Sequence, residues 1–355
     1  MKALFLNPYL DTLGGGEKYM LDISYALHTL GYGTDIAWND PTFKEKILDR
    51  FGNKYDYISI LTKWFSYSSI ERFFTSRFYD VIFYQPDGSY PLSLAKKNFA
   101  LIQVPNNALI EPSSSFQRLK QKQWRPIFNS HFVKRFFSRN SQSAHGPVVY
   151  PAITDTFISS QTKKKYIVTV GRFFQHLHAK KQETLIKTFI FACEKYPQFK
   201  KYTLFLVGTS LPDDESYVNY LRKLALNHSN IRIETNYSYH TLQKLYSEAE
   251  FYWHATGYGE SEIVNPQRME HFGISIVEAM ASGSIVLAFK GGGPKETVLH
   301  GKTGYLYSSR KQLIEFTHKC MNDPTLAHTL SQKAIKRANE KFSQQTLTKS
   351  ISQLL

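Results

Sequence analysis

Residues 270–283 read EHFGISIVEAMASG and place two glutamates, Glu270 and Glu278, eight positions apart. A single helix would bring both carboxylates to one face, but Gly273 opposes it because glycine costs about 1 kcal/mol in a helix interior. We therefore predict a loop over EHFG and a helix that starts at about Ser275. Free amides at that helix start would attract an anion, and a loop carboxylate can accept hydrogen bonds from sugar hydroxyls. Spacing alone is equally compatible with a solvent-facing Glu278 and an ordinary loop.

Length and composition predict a globular protein. The chain has 355 residues, 42% of them apolar, which is enough for two domains with separate cores. Cys193 and Cys320 lie far apart in helix-like contexts, which favours reduced thiols and a cytoplasmic setting. The N-terminal apolar run is too short for a signal peptide, and no stretch approaches the roughly 20 apolar residues of a membrane helix. We therefore expect a chain that does not span a bilayer.

The charge balance predicts an acidic partner. A net charge of +15 with 15% aromatic residues suits nucleic acid, an anionic membrane surface or phosphorylated ligands. Composition does not choose among the three.

Short apolar runs alternate with helical patterns along the whole chain. Strand-like runs in the first half are KALFLNP, TDIAW, DVIFYQP, NFALIQVP and RPIFNS, and in the second half KKYIVTVGRF, YTLFLVGTS, IRIETNY, FYWHATG and SIVLAF. This alternation predicts an α/β protein with two doubly wound parallel sheets. The polar stretch 150–165 separates them, so we predict domains at 1–155 and 156–330. Residues 331–355 form an amphipathic pattern that predicts a C-terminal helix packing back across the junction.

Several motifs follow predicted strands, where open parallel sheets bind ligands. The glycines of GGGEKY would let backbone amides approach a ligand closely, but Tyr19 stands where a dinucleotide fingerprint needs a third small residue. Arg172 follows another strand, and Lys180 and Lys181 begin the next helix, so these cations could bind a diphosphate or be ordinary surface residues. His176 and His178 have no third ligand nearby, so we predict no metal site.

Taken together, GGGEKY, VGRF with KKQETLIKTF, WHATG, EHFGISIVEAMASG and GGGPKETVLHGKTGYL resemble the retaining family-four glycosyltransferases. The glutamate pair matches the E-x7-E signature of that family. The likeness covers most of residues 150–310 and only patches of the first 150. Within the family, WHATG and EHFGI are most similar to lipid-linked-oligosaccharide mannosyltransferases and their bacterial relatives. The resemblance implies the GT-B fold, in which two Rossmann-like domains face one another across a cleft.

The resemblance also implies roles for the glutamates and their neighbours. Glu278 would bind the ribose of a sugar nucleotide. Glu270 would hold the donor sugar, together with backbone amides around Phe272, Gly273 and Ile274.

Further implied roles concern the phosphates and the first domain. Arg172 and Lys180, with Lys181 as the alternative to Lys180, would neutralise the diphosphate. Gly15 and Gly16 would let the first domain close on it. Many family members have an H-x-P string where this chain has Gln103 in QVP, and glutamine can bind sugar hydroxyls but cannot titrate.

The expected function is therefore a retaining sugar transfer at the cytoplasmic face of a membrane. The donor would be a GDP-sugar or UDP-sugar, with GDP-mannose favoured, and the acceptor a glycolipid or polysaccharide such as lipopolysaccharide; no cofactor is expected. A nucleic-acid-binding protein would explain the charge but not the glutamate pair, so we expect no nucleic-acid partner. A non-catalytic sugar-nucleotide binder is the alternative that Gln103 motivates.

Basic and aromatic residues of the first domain predict contact with an anionic membrane. Residues 112–154 contain no acidic side chain, and cations such as Lys120, Lys122 and Arg125 alternate there with apolar residues. We predict that residues 113–125, together with Trp64 and Phe65, lie at the lipid headgroups. The later aromatic residues Phe132, Phe136 and Phe137 are expected in the core.

Sugar transfer should survive excess EDTA. The chain contains no DxD triplet to hold a nucleotide through a divalent cation, and Arg172 and Lys180 are available to neutralise the diphosphate. Product formation measured with and without the chelator checks this. Loss of activity that manganese restores would contradict it.

Overall fold

The computed structural model describes residues 1–10, 13–109, 114–140, 145–153, 157–160, 162–175 and 179–355. The chain divides into two compact units, the first made of Met1–Ala152 with Gln344–Leu355 and the second of Ile153–Ser343. This division was predicted near residue 155.

Parallel strands form the sheet of the first unit. Within its described residues these are β1 Lys2–Leu6, β2 Gly33–Ala37, β3 Ser59–Ile60, β4 Val81–Tyr84, β5 Lys97–Ile102 and β6 Arg125–Phe128, in the order β3-β2-β1-β4-β5-β6. The helices are α1 Gly15–Thr29, α2 Phe43–Phe51, α3 Ser69–Thr75, α4 Ser115–Gln121 and α5 His131–Asn140. The central strands are buried almost throughout, as their unbroken apolar runs predict for a sheet covered on both faces.

The second unit repeats this architecture. Its described strands are β7 Lys164–Val170, β8 Thr203–Gly208, β9 Ile231–Thr235, β10 Ala249–His254, β11 Ile285–Phe289 and β12 Tyr305–Tyr307, in the parallel order β12-β11-β10-β7-β8-β9. The helices are α6 Gln182–Lys195, α7 Glu215–Ala225, α8 Tyr239–Glu248, α9 Ile274–Ala281, α10 Pro294–Thr297, α11 Arg310–Asn322 and α12 Pro324–Phe342. The predicted pair of doubly wound parallel sheets is confirmed.

The helix α1 ends just before Gly31, whose φ of 85° lies in the left-handed region that favours glycine. The prediction that three aromatic residues of α5 lie in the core is confirmed for two of them. Phe132 and Phe137 of α5 are buried in the core, whereas Phe136 is half-buried.

The end of the chain forms two helices where the sequence pattern predicted one over 331–355. The helix α12 ends at Phe342, and α13 spans Gln344–Ser352. Ser343 between them has extended backbone, with φ −74° and ψ 158°, which interrupts the helical hydrogen bonds. The chain leaves the second unit at this residue and returns to the first.

A buried polar cluster joins α13 to the rest of the first unit. Lys18 and Asp22 of α1 form an ion pair of 2.6 Å, and both side chains are at most 4% exposed. Asp22 Oδ1 also accepts a hydrogen bond from the Tyr55 hydroxyl at 2.7 Å. The side-chain amide of Gln344 in α13 donates to the backbone carbonyl of Asp22 at 2.9 Å and accepts from Lys54 at 3.1 Å. The cluster therefore holds the last helix against the first.

The first unit also exposes a surface of apolar and basic side chains on and around α3 and α4. Its large exposed apolar residues are Phe65, Ile70, Phe74, Phe78, Leu92, Leu94, Phe116 and Leu119. The segment 90–95 links the two helical regions, because the Leu94 amide donates to Ser76 Oγ at 2.7 Å and the Tyr90 amide to Gln117 Oε1 at 3.0 Å. We call this region the apolar–basic surface.

Two tryptophans that we predicted for the lipid-facing surface are buried, so that part of the prediction is wrong. Trp64 is 6% exposed and Trp124 is 4% exposed, whereas Phe65 is 46% exposed. The indole N–H of Trp124 donates to the backbone carbonyl of Pro91 at 2.9 Å, and its ring packs on Tyr84. Once the N–H has a partner, burial of the large apolar ring is favourable. Residue 113, at the start of the predicted stretch, lies outside the described residues.

Helices long and apolar enough to cross a membrane do not occur in the part of the chain that the structure describes.

Replacement of Asp22 with alanine should lower the free energy of unfolding by about 3–5 kcal/mol, because the buried Lys18 ammonium would lose its partner. Denaturant titration of the full chain measures this. Asp56→Ala is the control, since Asp56 pairs with Lys44 but is 71% exposed, and should change stability little. Equal effects of the two substitutions would contradict the structural role of the cluster.

Candidate functional site

The loop and helix predicted at residues 270–283 are confirmed. The helix α9 starts at Ile274, directly after Gly273, whose φ of 93° lies in the left-handed region that favours glycine. Glu270 therefore precedes the helix, and Glu278 lies within it. Both glutamates are in the second unit.

A second glycine run, at residues 291–293, packs against this loop. The Gly293 amide donates to the backbone carbonyl of Glu270 at 2.8 Å. A Cβ atom on Gly292 would lie 2.3 Å from the same oxygen, and one on Gly293 would lie 2.5 Å from the His271 carbonyl oxygen. Larger residues would therefore displace the loop that carries Glu270.

The Glu270 carboxylate makes both of its side-chain contacts through one oxygen. Lys180 Nζ lies 2.7 Å and His254 Nε2 lies 2.8 Å from Oε2. Burial by itself would raise the pKa of Glu270, but the Lys180 charge and the hydrogen bond from His254 hold that pKa well below its ordinary value. Oε1 receives no hydrogen bond from any described residue. The site thus holds an ionised carboxylate with one oxygen available to a ligand.

His254 ends β10 and is a residue of the candidate site that was not assigned from the sequence. It is 2% exposed, and burial lowers its pKa more than the neighbouring Glu270 carboxylate raises it, so the imidazole is neutral. Because Glu270 can only accept, Nε2 carries the proton. The available signal was position: WHATG contains the end of a strand at the same sheet edge as VGRF, which precedes Lys180. Lys180 and Lys181 themselves lie just before α6, which begins at Gln182, so the prediction that they begin this helix is wrong.

Three cations predicted to neutralise a diphosphate lie in different environments. The stem of Lys180 crosses Gly171, where a Cβ atom would lie 2.6 Å from Lys180 Cγ. Lys181 is bound to Glu260 at 3.0 Å. The Arg172 guanidinium lies 5.7 Å from the ring centroid of Phe174, and it forms no ion pair with a described carboxylate.

Two other predicted residues lie at the start of α9, and two lie outside the described residues. Phe272 is 3% exposed and lies two residues before α9, and Ile274 is the first residue of that helix. His176 and His178, for which we predicted no metal site, lie outside the described residues.

Glu278 lies within α9 and interacts with two buried tyrosines. It is 7% exposed. The pKa of Tyr246 is raised well above its ordinary value, chiefly by burial, and the neighbouring Tyr252 and Glu278 add to this. The carboxylate therefore lies within interaction distance of a tyrosine pair.

Gly15, Gly16 and Gln103 lie together in the first unit. The Gln103 side-chain amide donates to the Gly16 carbonyl at 3.2 Å and to Gln85 Oε1 at 2.7 Å. A Cβ atom on Gly16 would lie 3.0 Å from Gln103 Oε1. The small residue at the start of α1 thus allows the glutamine to approach the helix.

A protein-family model described as "Glycosyl transferases group 1" matches residues 154–337, just over half of the chain. The chain belongs to the glycosyl transferases group 1 family. The matched span contains Glu270 with both of its partners, Glu278 and the three candidate cations.

Curated relatives of this chain include mannosyltransferases and sucrose synthases. A GDP-Man:Man(3)GlcNAc(2)-PP-Dol alpha-1,2-mannosyltransferase of Mus musculus is 30% identical over 207 residues, which are 54% of this chain and 37% of the relative. Alpha-1,3/1,6-mannosyltransferase ALG2 of Dictyostelium discoideum is 43% identical over 75 residues, which are 21% of this chain and 18% of the relative. A sucrose synthase of Denitrovibrio acetiphilus is 38% identical over 86 residues, which are 22% of this chain and 11% of the relative. The chain thus matches at most 37% of the length of these three relatives.

Solved structures with the same fold match this chain over its whole given length. The Anabaena protein Alr3699/HepE, crystallised with UDP and glucose, has a TM-score of 0.75 and 19% identity and covers 100% of this chain and 99% of its own. Sucrose-phosphate synthase of Thermosynechococcus elongatus has a TM-score of 0.70 and 17% identity, and the match covers 100% of this chain and 98% of that protein. The fold is the two-domain α/β GT-B fold that the sequence resemblance implied.

The free energy of unfolding should fall as the pH decreases from about 6.5 to about 4. Burial lowers the pKa of His271 from 6.5 to about 4, so in this window the unfolded chain binds a proton that the folded chain does not. His254 acts in the same direction because its pKa is also lowered.

Denaturant titrations across this range check the prediction with His271→Asn, which should give a flatter pH dependence than the wild type. The exposed His240→Asn is the control and should leave the slope unchanged. Parallel curves for wild type and His271→Asn would contradict the assignment.

Proposed function

We propose that the chain is a retaining, metal-independent hexosyltransferase that moves a sugar from a nucleotide-sugar donor to a glycolipid or polysaccharide acceptor. The environment of Glu270 carries this proposal. An ionised, buried carboxylate with an unused Oε1 stands directly before the N-terminus of α9. Oε1 can accept a hydrogen bond from a sugar hydroxyl. The amides of Ile274 and Ser275, the first two residues of α9, have no intrahelical acceptor and can donate to phosphate.

The cations of the site would stabilise the departing diphosphate. Negative charge grows on this group as the bond to the sugar breaks, so fixed positive charge beside it accelerates the reaction. Arg172 is suited to this role because it forms no ion pair with a described carboxylate. Lys180 can join it by exchanging Glu270 for phosphate, while His254 keeps its hydrogen bond to the carboxylate. Retention would follow from acceptor attack on the face that the diphosphate leaves, without a protein nucleophile.

The donor would be a GDP-sugar or a UDP-sugar, with mannose as the favoured sugar. Support for GDP-mannose comes from the relatives in Mus musculus and Dictyostelium discoideum that are named as GDP-Man-dependent mannosyltransferases. Support for UDP-sugars comes from the Anabaena protein, crystallised with UDP-glucose. Glu278 would bind the ribose in either case, since a buried carboxylate accepts hydrogen bonds from both ribose hydroxyls.

We also propose that the enzyme works at the cytoplasmic face of an anionic membrane, with the apolar–basic surface in contact with lipid. Apolar side chains there are exposed next to cations: Phe116 is 58% exposed, and Lys120 Nζ lies 4.5 Å from its ring centroid. Phe78 is 63% exposed, with the Arg77 guanidinium 4.8 Å from its ring centroid. Such pairs can insert the ring at the headgroup boundary while the cation meets anionic lipid. A lipid-linked acceptor would then be reached from this surface.

The two glutamates should differ in what they contribute. Glu270→Ala should lower kcat by about 100-fold or more with a smaller effect on donor affinity, because its oxygen contacts the reacting sugar. Glu278→Ala should instead weaken nucleotide binding by about tenfold, the scale for one charge-assisted hydrogen bond. Steady-state kinetics and calorimetry with UDP-glucose and GDP-mannose separate these effects.

The control is Glu315→Ala, an exposed carboxylate of the second unit that pairs with Lys311. It should match the wild type in both measurements. Wild-type values for both Glu270→Ala and Glu278→Ala would disprove the site.

Vesicle co-sedimentation tests the membrane contact. The wild type should bind anionic vesicles and dissociate at high salt, because each basic residue near such a surface contributes about 1 kcal/mol. A triple alanine variant of Lys120, Lys122 and Arg125 should bind less.

The matched control removes three exposed lysines from α12 of the second unit, Lys333, Lys336 and Lys341. It has the same net charge as the first variant and should bind as the wild type does. Equal binding to neutral and anionic vesicles, or binding to neither, would reject the membrane proposal and favour a soluble acceptor.

A further inference from the structure

Four neighbouring strands of the first sheet are each followed directly by a carboxamide side chain. The strands β1, β4, β5 and β6 lie side by side, and the next residues are Asn7, Gln85, Gln103 and Asn129. Carboxyl ends of parallel strands meet at one edge, which is where such sheets bind ligands. We call these four residues the carboxamide row. Asn7, Gln85 and Asn129 are at most 8% exposed.

Each member of the row uses one of its two polar groups within the first unit. Asn7 Oδ1 accepts from the Tyr9 amide at 2.9 Å, and Gln85 Oε1 accepts from Gln103 Nε2 at 2.7 Å. Asn129 Nδ2 donates to the Gln103 carbonyl at 3.1 Å. These bonds tie the four side chains to the backbone and to one another, so their positions are fixed before any ligand arrives.

The other polar group of each side chain has no hydrogen-bond partner among the described residues. These groups are Nδ2 of Asn7, Nε2 of Gln85, Oε1 of Gln103 and Oδ1 of Asn129, two donors and two acceptors. Asn129 Oδ1 is also fully shielded from solvent. An unmet buried polar group is costly, and native structures keep few of them, often where a ligand binds.

Mixed donors and acceptors without charge match the chemistry of a sugar ring. A hydroxyl both donates and accepts, so adjacent hydroxyls can satisfy both kinds of group at once. A phosphate or carboxylate only accepts, and it would meet the unpaired oxygens of Gln103 and Asn129 with no donor to offer. We propose that the carboxamide row binds the hydroxyls of an uncharged pyranose. This inference rests on the proposed sugar transfer for the source of the pyranose, which is either the donor sugar or the terminal sugar of the acceptor.

Asn7→Asp and Gln85→Glu test the row without changing its shape. Each substitution keeps the oxygen that accepts within the unit and replaces only the unused amide nitrogen with a carboxylate oxygen. Gln117→Glu is the matched control, because Gln117 Oε1 likewise accepts a backbone hydrogen bond, from Tyr90, but lies outside the row. Thermal unfolding of all three variants verifies that they fold.

Two ligand series distinguish the sources of the sugar. Methyl α-mannopyranoside and methyl α-glucopyranoside, added without nucleotide, represent an acceptor sugar, and mannose 6-phosphate is their charged counterpart. Saturation-transfer NMR measures their binding. For the donor sugar, calorimetry compares UDP-glucose with UDP and GDP-mannose with GDP, which isolates the affinity that the sugar adds.

The expected result is a loss of about tenfold in sugar affinity in Asn7→Asp and Gln85→Glu, with Gln117→Glu unchanged. A loss confined to the methyl glycosides identifies an acceptor sugar. A loss of the affinity that glucose or mannose adds, with UDP and GDP binding intact, identifies the donor sugar. Preference of the wild type for mannose 6-phosphate over the neutral glycosides would overturn the proposal.

Wild-type sugar binding in both folded row variants would also overturn it. If either variant fails to fold, side-chain amide resonances of Asn7 and Gln85 in the wild type give the answer: they should shift on addition of the glycosides or nucleotide sugars, and unchanged resonances would reject the row. Failure of the proposed function looks different. In that case neither UDP, GDP nor their sugar conjugates would stabilise the wild type.

Discussion

The negative charge of Glu270 constrains the residues around it in the second unit. A buried carboxylate is tolerated only if it is paired and hydrogen-bonded, and here Lys180 and His254 meet one of its oxygens. The lysine can cross to it because Gly171 has no Cβ in its path, and the loop fits because Gly292 leaves room for the Glu270 carbonyl. The position of this one glutamate therefore explains the residue types at several positions that are far apart in the sequence.

Much of the fold could be predicted from local sequence, since buried parallel strands are continuous apolar runs and glycines mark where helices start or stop. The shortest strands were missed. Ser59–Ile60 and Tyr305–Tyr307 are too short to show a pattern, and both lie at sheet edges. The division at Ser343 was also missed, because an amphipathic pattern continues unchanged across a break in the backbone.

The candidate site was predictable where a motif identifies a residue, and not where only packing does. Glu270 and Lys180 stand in recognisable strings, but nothing in the sequence indicates that they bind each other. His254 was missed because its role depends on burial at a strand end. Aromatic composition was similarly ambiguous. Trp124 and Phe116 occur in one basic stretch, yet Trp124 is buried and Phe116 is exposed. The burial of Trp124 depends on the hydrogen bond from its indole N–H to the Pro91 carbonyl, which the sequence does not indicate.

The return of α13 to the first unit has a consequence for synthesis of the chain. Leu347 and Ile351 of that helix belong to the same apolar core as the strands of the first sheet. Residues 1–152 are synthesised first, but the helix α13, which completes their core, is synthesised only after the whole second unit. The second unit is one continuous segment of the chain. The second unit can therefore complete its core during translation, while the first must wait for the final residues. Until then the newly made first unit leaves exposed the apolar surface that α13 will cover, which is the kind of surface that chaperones bind.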